Sequence, residues 1–429
     1  MTLPIILICF FALLALSVPI SILLAATTAI YLIFIAHTPL ISLIQQLFNG
    51  LDNFVLLGVP FFILAGNIMA EGAISDRLVN VMKLFVGRFT GGLAMASVMA
   101  CMFFAAISGS SPATVIAIGS IMMPALIKEG YSERFSIGLL TSAGSLGILI
   151  PPSIPMILYA LVMNVSVAEI FMAGFLPGIF IGCCLMGYSY FVSDKHGWRS
   201  EVKYSFRDGV KIIKDGLWAI FLPFLVLGGI YGGVFTPTEA AAVSVVYALF
   251  VELFIYRELK IGKLFVICRD SAILSGCLLF IISCAMSFIW LLTVEQIPAK
   301  LADVIVSNVN NKWVFLLAIN GVLLMIGGVM DIVTAIIVIS PMLMETLNRY
   351  GIDHVHYGII MIVNIECGFL TPPFGLNLFV SMAIMKRSLV DIGRAVLPFI
   401  LIFIVCLLVI TYVPRLSLIL PELFLRKYP

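Results

Sequence analysis

One six-residue pattern occurs twice in this chain, and both copies interrupt apolar sequence. Gly147-Ile-Leu-Ile-Pro-Pro152 and Gly368-Phe-Leu-Thr-Pro-Pro373 are the same motif, Gly-x-Leu-x-Pro-Pro. Proline removes a backbone donor and glycine loosens a helix, so an apolar helix that reaches either motif unwinds there. Unwound backbone at membrane depth is tolerated only where protein buries it or where it lines a cavity. Two such breaks in corresponding halves of a chain point to a transporter's binding site. A further polar interruption, Ser108-Gly-Ser-Ser-Pro-Ala-Thr114, falls between two long apolar runs.

The surrounding composition makes the bilayer the solvent. Hydrophobic residues make up 62% of the 429 positions and charged residues 11%. At about 20 residues per crossing, that length accommodates roughly ten to fourteen membrane helices. The first Lys or Arg is Arg77. No charged leader and no cleavable signal peptide is therefore expected, and the N-terminus is expected on the non-cytoplasmic side. The net charge of +2 selects no partner, and no basic aromatic patch suggests nucleic acid. Eight of the nine cysteines lie in apolar runs and read as small hydrophobes. His354 and His356 face differently on a helix, which argues against a metal pair. No Ser-His-Asp constellation, metal-ligand cluster or phosphate-cradling loop is present. An enzyme and an ATP-driven pump are both disfavoured.

Read in order, residues 1–70 hold the first membrane helices, with Pro19 as a kink. Asn67 lies in the span at 54–70 and needs a partner, either on another helix or in a ligand. Residues 71–192 form a first unit that begins with a polar connection at 75–90. Residues 193–216 are the most charged stretch and read as an amphipathic arm at the cytoplasmic interface, solvated or bound to lipid headgroups. Residues 217–294 carry further spans joined through Thr236-Pro-Thr-Glu239, where Glu239 reads as a helix cap, and a charged loop covers 257–270. Residues 295–400 form a second unit that begins with a polar, Asn-rich stretch at 295–312. Residues 401–429 close the chain with a span and a basic tail expected in the cytoplasm.

The two units are repeats. Pro124 pairs with Pro341. After a short insertion Gly130 pairs with Gly351, Gly147 with Gly368, Leu149 with Leu370, Pro151 and Pro152 with Pro372 and Pro373, and Pro177 with Pro398. Counting back from Pro341 sets Thr114 against Asp331. Such halves pack about a pseudo-two-fold axis.

Unwound backbone offers carbonyl oxygens, and Ser and Thr add hydroxyls. Together these suit a hard monovalent cation such as Na⁺, while half-helix N-termini suit a carboxylate. In the first unit Ser108, Ser111, Gly147, Ile150 and Pro152 are candidate cation ligands. In the second unit they are Gly327, Asp331, Gly368, Thr371 and Phe374. Ser110, Thr114, Ser153, Pro373 and Asn377 are candidate substrate contacts. Asp331 stands in apolar sequence, either as a ligand or as the cap of the next helix.

With Gly232-Gly-Val-Phe-Thr-Pro-Thr-Glu-Ala-Ala241 added, these motifs resemble, in order and over essentially the whole chain, the large membrane subunit of TRAP transporters. Those are the tripartite ATP-independent periplasmic systems of bacteria. The resemblance implies an all-α polytopic protein of the bacterial inner membrane, built as an elevator with inverted repeats and two re-entrant helical hairpins. It implies Na⁺ as coupling ion and no other cofactor. It also implies a separate small membrane subunit, and a periplasmic binding protein that delivers an organic acid of the sialic acid or C4-dicarboxylate class. The hairpin tips fall near Ser108–Pro112 and Gly327–Asp331. One Na⁺ site then pairs the first tip with Gly147–Pro152, and the other pairs the second tip with Gly368–Phe374. The competing reading is a stand-alone ion-coupled carboxylate carrier or a channel that needs no binding protein.

Overall fold

The computed structural model describes residues 2–16, 18–198, 205–372 and 375–426. Every regular element among them is helical. The chain opens with α1 (Thr2–Ala15), α2 (Ile20–Tyr31), α3 (Ile41–Asn49) and α4 (Gly58–Glu71). The first repeat is α5 (Ile74–Val86), α6 (Gly92–Ser108), α7 (Ser111–Lys128), α8 (Glu133–Gly144), α9 (Ile154–Met163) and α10 (Val167–His196). Three helices follow: α11 (Phe206–Tyr231), α12 (Pro237–Phe250) and α13 (Ile261–Val294). The second repeat is α14 (Ile297–Asn308), α15 (Lys312–Gly327), α16 (Ile332–Tyr350), α17 (His354–Phe369), α18 (Leu376–Met385) and α19 (Leu389–Tyr412), and α20 (Arg415–Phe424) ends it.

Among the described residues seven helices are long and apolar enough to cross a bilayer, with an eighth crossing if α14 and α15, bent by 120°, count as one. Ten to fourteen crossings were expected from length alone. The difference lies in the half-helices: α6, α9 and α18 are apolar but too short to cross. Sequence that would have made full spans is folded into hairpins and broken helices.

Two stretches expected to be polar connections, 75–90 and 295–312, are helices instead. Their charges sit on one face and hide the period. α5 buries Ile74, Leu78, Val81 and Met82, spaced as one stripe of a 3.6-residue helix, and it packs on α6 and α11. α14 occupies the matching place in the second repeat and packs on α16. The loop expected at 257–270 is likewise short, because α13 already begins at Ile261. The arm expected at 193–216 divides between the end of α10 and the start of α11. Arg199, Glu201, Lys203 and Tyr204 of that arm lie outside the described residues. The chain ends with α20, which packs on α10; of the basic tail after it, Arg426 pairs with Asp353 at 2.7 Å and with Glu169 at 3.4 Å, and Lys427 lies outside the described residues.

α4 packs against α12 and α13 on one side and approaches the first repeat on the other. Asn67 Nδ2 donates to Ser271 Oγ of α13 at 2.8 Å, so this half-buried amide is an interhelical tie. Gly66 lets α4 approach the first hairpin, because a Cβ there would stand 3.1 Å from Ser108 Cα. Glu239 completes a capping box: its carboxylate accepts from Thr236 N at 2.8 Å while Thr236 Oγ1 accepts from Glu239 N. The structural reading of that motif therefore holds.

Candidate functional site

The first break forms because α8 runs out of helix-compatible sequence. A 3₁₀ turn covers Ser145–Ile148, the backbone continues irregularly through Pro151 and Pro152, and α9 restarts at Ile154. Ser153 caps α9 by accepting from Met156 N at 3.4 Å. The first hairpin turns at Gly109, whose φ of +60° few other residues adopt. Ser110 then caps α7, accepting from Ala113 N. Tip and break lie against each other. Ile154 N donates to Gly109 O at 3.3 Å. A Cβ on Gly147 would lie 2.6 Å from Ser110 O and 2.8 Å from Ser111 Cα, so the tip seats on the break only with glycine there.

Ser108, Ser111, Thr114 and Ser153 are all buried at this junction, each at most 1% exposed. Ser108 Oγ lies 3.1 Å from Thr114 Oγ1, which donates to Ser110 O at 2.9 Å. The structure thus brings Ser108, Ser111, Thr114 and Gly147 together around buried hydroxyl and carbonyl oxygens. Ile150 lies to one side, against Ala105 and Ala106. There it borders a cavity of about 480 Å³ between α6, α10 and α11, lined by Met102, Phe175, Pro223 and Tyr231. That lining is apolar and does not suit a carboxylate.

The second junction repeats the arrangement. Gly327 ends α15 and meets the backbone of α17, where a Cβ on it would stand 3.0 Å from Ile365 O and 3.2 Å from Gly368 Cα. Thr371 donates its hydroxyl to Cys367 O at 2.8 Å. Asp331 caps α16, its carboxylate accepting from Thr334 N at 2.9 Å and Thr334 Oγ1 at 2.6 Å. The cap role is therefore real. Two candidate residues, Pro373 and Phe374, lie outside the described residues.

The caps also correct the register of the repeat. Ser110 opens α7 as Asp331 opens α16, both in extended backbone. Asp331 therefore corresponds to Ser110 rather than to Thr114, with the same spacing that relates Gly130 to Gly351 and Gly147 to Gly368. No insertion is needed. Pro124 and Pro341 sit at different turns of their helices, so anchoring the count on them displaced the tip.

The half-helices cross between repeats. α9, after the first break, packs on α16 of the second hairpin, and α18, after the second break, packs on α7 and α8 of the first repeat. Thr141 Oγ1 of α8 and Ser381 Oγ of α18 stand 2.7 Å apart. Asn377 is consequently placed beside the first junction, its Nδ2 donating to Ser145 Oγ at 3.0 Å.

Between them lies Glu366, which sequence reading passed over. It is fully buried in α17, accepts from Asn377 Nδ2 at 2.7 Å and lies 3.4 Å from Ser111 Oγ. A lone carboxylate in an apolar helix was signal enough to single it out. Glu252 was missed in the same way. It is fully buried at the end of the α12 segment, and its carboxylate accepts from Ala73 N at 3.0 Å and Ile74 N at 2.9 Å, capping α5.

Comparison with known proteins matches residues 7–416 to the family described as tripartite ATP-independent periplasmic transporter, DctM component. The chain is 43% identical over 381 residues to the C4-dicarboxylate TRAP transporter large permease protein of Pseudomonas aeruginosa, covering 89% of each. It is 39% identical over 411 residues to the isethionate TRAP transporter permease protein DctMQ of Oleidesulfovibrio alaskensis, covering 95% of this chain and 65% of that longer one. It is 35% identical over 381 residues to the sialic acid TRAP transporter large permease protein of Vibrio cholerae, covering 89% of each. Among solved structures, the YdaH transporter of Alcanivorax borkumensis aligns with a TM-score of 0.61 at 13% identity over 86% of both chains. At that identity the likeness speaks for the fold alone.

Proposed function

Because this chain belongs to the DctM family of tripartite ATP-independent periplasmic transporters, whose large permeases are multi-pass proteins of the bacterial inner membrane, we propose that it performs Na⁺-coupled uptake of a small organic acid. The observation that carries this reading is the seating of each hairpin tip on an unwound helix, Gly109–Ser111 on Gly147–Ser153 and Gly327 on Gly368. Such junctions offer hydroxyl and carbonyl oxygens, the hard donors that suit Na⁺. In the first, Ser108, Ser111, Gly147 and Pro152 would hold one co-transported Na⁺. In the second, Gly327, Asp331, Gly368 and Thr371 would hold another. Ser110, Thr114, Ser153 and Asn377 would face the substrate, where the N-termini of α7 and α9 favour a carboxylate. The hairpins and broken helices would move as one body against α4, α11, α12 and α13.

Identity to the dicarboxylate relative (43%) above that to the sialic acid relative (35%) supports a C4-dicarboxylate-like substrate. The partners are a small membrane subunit and a periplasmic binding protein. The DctMQ relative, of which this chain spans 65%, is consistent with a second membrane component.

The test is uptake by proteoliposomes holding this chain with its small subunit. Labelled succinate is offered on its binding protein, with and without an inward Na⁺ gradient. Uptake that needs both is expected, with loss in Ser111→Ala. Uptake that persists without binding protein would instead make this a stand-alone carrier or channel.

A further inference from the structure

α11 presents one face, Pro223, Phe224, Leu227, Gly228 and Tyr231, to the cavity of about 480 Å³ that separates it from α10 and α20. Met172, Phe175 and Ile179 of α10 form the opposite wall, at the i, i+3, i+7 spacing of one helix face. Ala106, Ile150 and Met172 make a floor that is at most 6% exposed. Phe224 and Phe424 are 64% and 69% exposed, so the cavity opens between α11 and α20 onto the apolar flank of the molecule. Every lining side chain is apolar except one. Tyr231 ends α11, and its hydroxyl is shut off from solvent with no hydrogen-bond partner among the described residues.

These walls define the chemistry of the occupant. Water would find a single polar group there, and apolar cavities of this kind stay dry. Packed interiors leave few voids larger than a water molecule, so a space of this size beside lipid tails is filled by hydrocarbon. Its length fits one leaflet. Pro223 to Tyr231 is about 12 Å of helix at ~1.5 Å per residue, and half of a bilayer core is about 15 Å. Residues 217–231 carry no charge and end in Tyr231, as a membrane run ends in an interfacial tyrosine at the depth of the headgroups. A buried tyrosine O–H normally has an acceptor. The ester carbonyl of a glycerophospholipid supplies one at that depth.

We propose that this cavity holds one acyl chain of a glycerophospholipid drawn from the bilayer, with the Tyr231 O–H donating to its ester carbonyl and the chain end lying on Ile150. Binding is reversible and no covalent bond changes. Ile150 belongs to the first break, between Gly147 and Pro152, and it lies against α10 where a Cβ on Gly178 would stand 2.6 Å from its side chain. The deep end of the lipid therefore touches the back of the first junction. On the reading given above, α6 and α10 belong to the body that moves and α11 to the helices it moves against. The lipid then lies in the seam, and the two bodies slide over hydrocarbon there in place of interlocked side chains.

The experiment uses the full chain with its small subunit in nanodiscs of phosphatidylethanolamine and phosphatidylglycerol. A trace of phosphatidylcholine with a diazirine at the end of one acyl chain is included, and its adducts are mapped by mass spectrometry after illumination. Adducts are expected on the floor residues Ala106 and Ile150 as well as on the outward Phe224. Adducts confined to the outward side overturn the site, whether the small subunit covers it or nothing enters it. Gly228→Leu fills the cavity, since nothing lies within 4 Å of a Cβ at Gly228. In that variant the floor adducts are expected to vanish and those on Phe224 to stay. Floor adducts that persist unchanged overturn the proposal. Tyr231→Phe is expected to lower the floor adducts several-fold, and labelling equal to the wild type overturns the ester contact. A fatty acid carrying the same diazirine is expected to label the floor weakly; labelling as strong as that by the phospholipid overturns the assignment to phospholipid. Should Gly228→Leu not fold, Tyr231→Phe, which keeps the ring packing, carries the test. None of these readouts needs Na⁺ or substrate, so the lipid site and the transport reading fail separately.

Discussion

Gly327 and Gly368 meet backbone to backbone: a Cβ built on Gly368 would stand 2.5 Å from Gly327 Cα. No side chain can yield there, because both surfaces are main chain. Gly368→Ala is expected to destabilise the protein by about 1–3 kcal/mol through overpacking and to abolish uptake by unseating the second tip. Gly321→Ala, one turn and a half earlier on α15 where nothing lies within 4 Å, is expected to leave stability unchanged or raise it by up to about 1 kcal/mol. Thermal unfolding in detergent beside proteoliposome uptake measures both. Equal behaviour of the two variants would remove the close-approach argument.

The Glu252 cap of α5 predicts a coupled pair. Glu252→Ala strips two buried N–H groups of their acceptor and is expected to cost about 1–3 kcal/mol. A Cβ at Gly72 would overlap the Glu252 carboxylate, so Gly72→Ala is expected to cost a similar amount. Once Glu252 is shortened the clash is gone, and the double variant should lose much less than the two single losses together. Additive losses in unfolding midpoints would show that the two residues act separately.

Cap and ligand roles of Asp331 separate on one substitution. Asn caps a helix about as well as Asp, so Asp331→Asn is expected to hold stability within about 0.5 kcal/mol. Removing the charge should raise the half-saturating Na⁺ concentration for uptake. Unchanged Na⁺ dependence would leave Asp331 a cap and nothing more.

Asp353 carries the acid sensitivity of the α20 anchor. Burial pushes its carboxyl up, but the Arg426 guanidinium at 2.7 Å and the N–H groups of His356 and Val355 outweigh this and hold it below the usual carboxylate range. A lowered folded value stabilises the protein above the unfolded value of about 3.9, and that contribution is lost as pH falls through the lower folded value. Both side chains are about a third exposed. Arg426→Ala is therefore expected to cost only about 1 kcal/mol at neutral pH, with the gap to wild type closing below about pH 4. A gap that persists in acid would assign the loss to packing of α20.

What could be read from the sequence was whatever glycine and proline punctuate. Gly147, Pro152 and Gly368 mark the two breaks, Ser108–Pro112 marks the first tip, and all stand out against apolar surroundings. The arm helices α5 and α14 did not, because an amphipathic helix with a charged outer face has the composition of a loop. The tip register was misread because two prolines matched by chance of position, and only the caps at Ser110 and Asp331 fix the alignment. Glu366 was visible as a residue but not as a site. Its partner Ser111 is 255 positions away in the chain, and nothing local links them.

The exchange of half-helices has a consequence for how such a molecule can arise and be taken apart. α9 lies on α16 and α18 lies on α7, so each half of the chain completes the hairpin of the other. One half alone would expose the flank that its sibling covers, in the place where its own backbone is least regular. The unit that folds is the pair. A chain of half this length would need a second copy of itself to cover that flank.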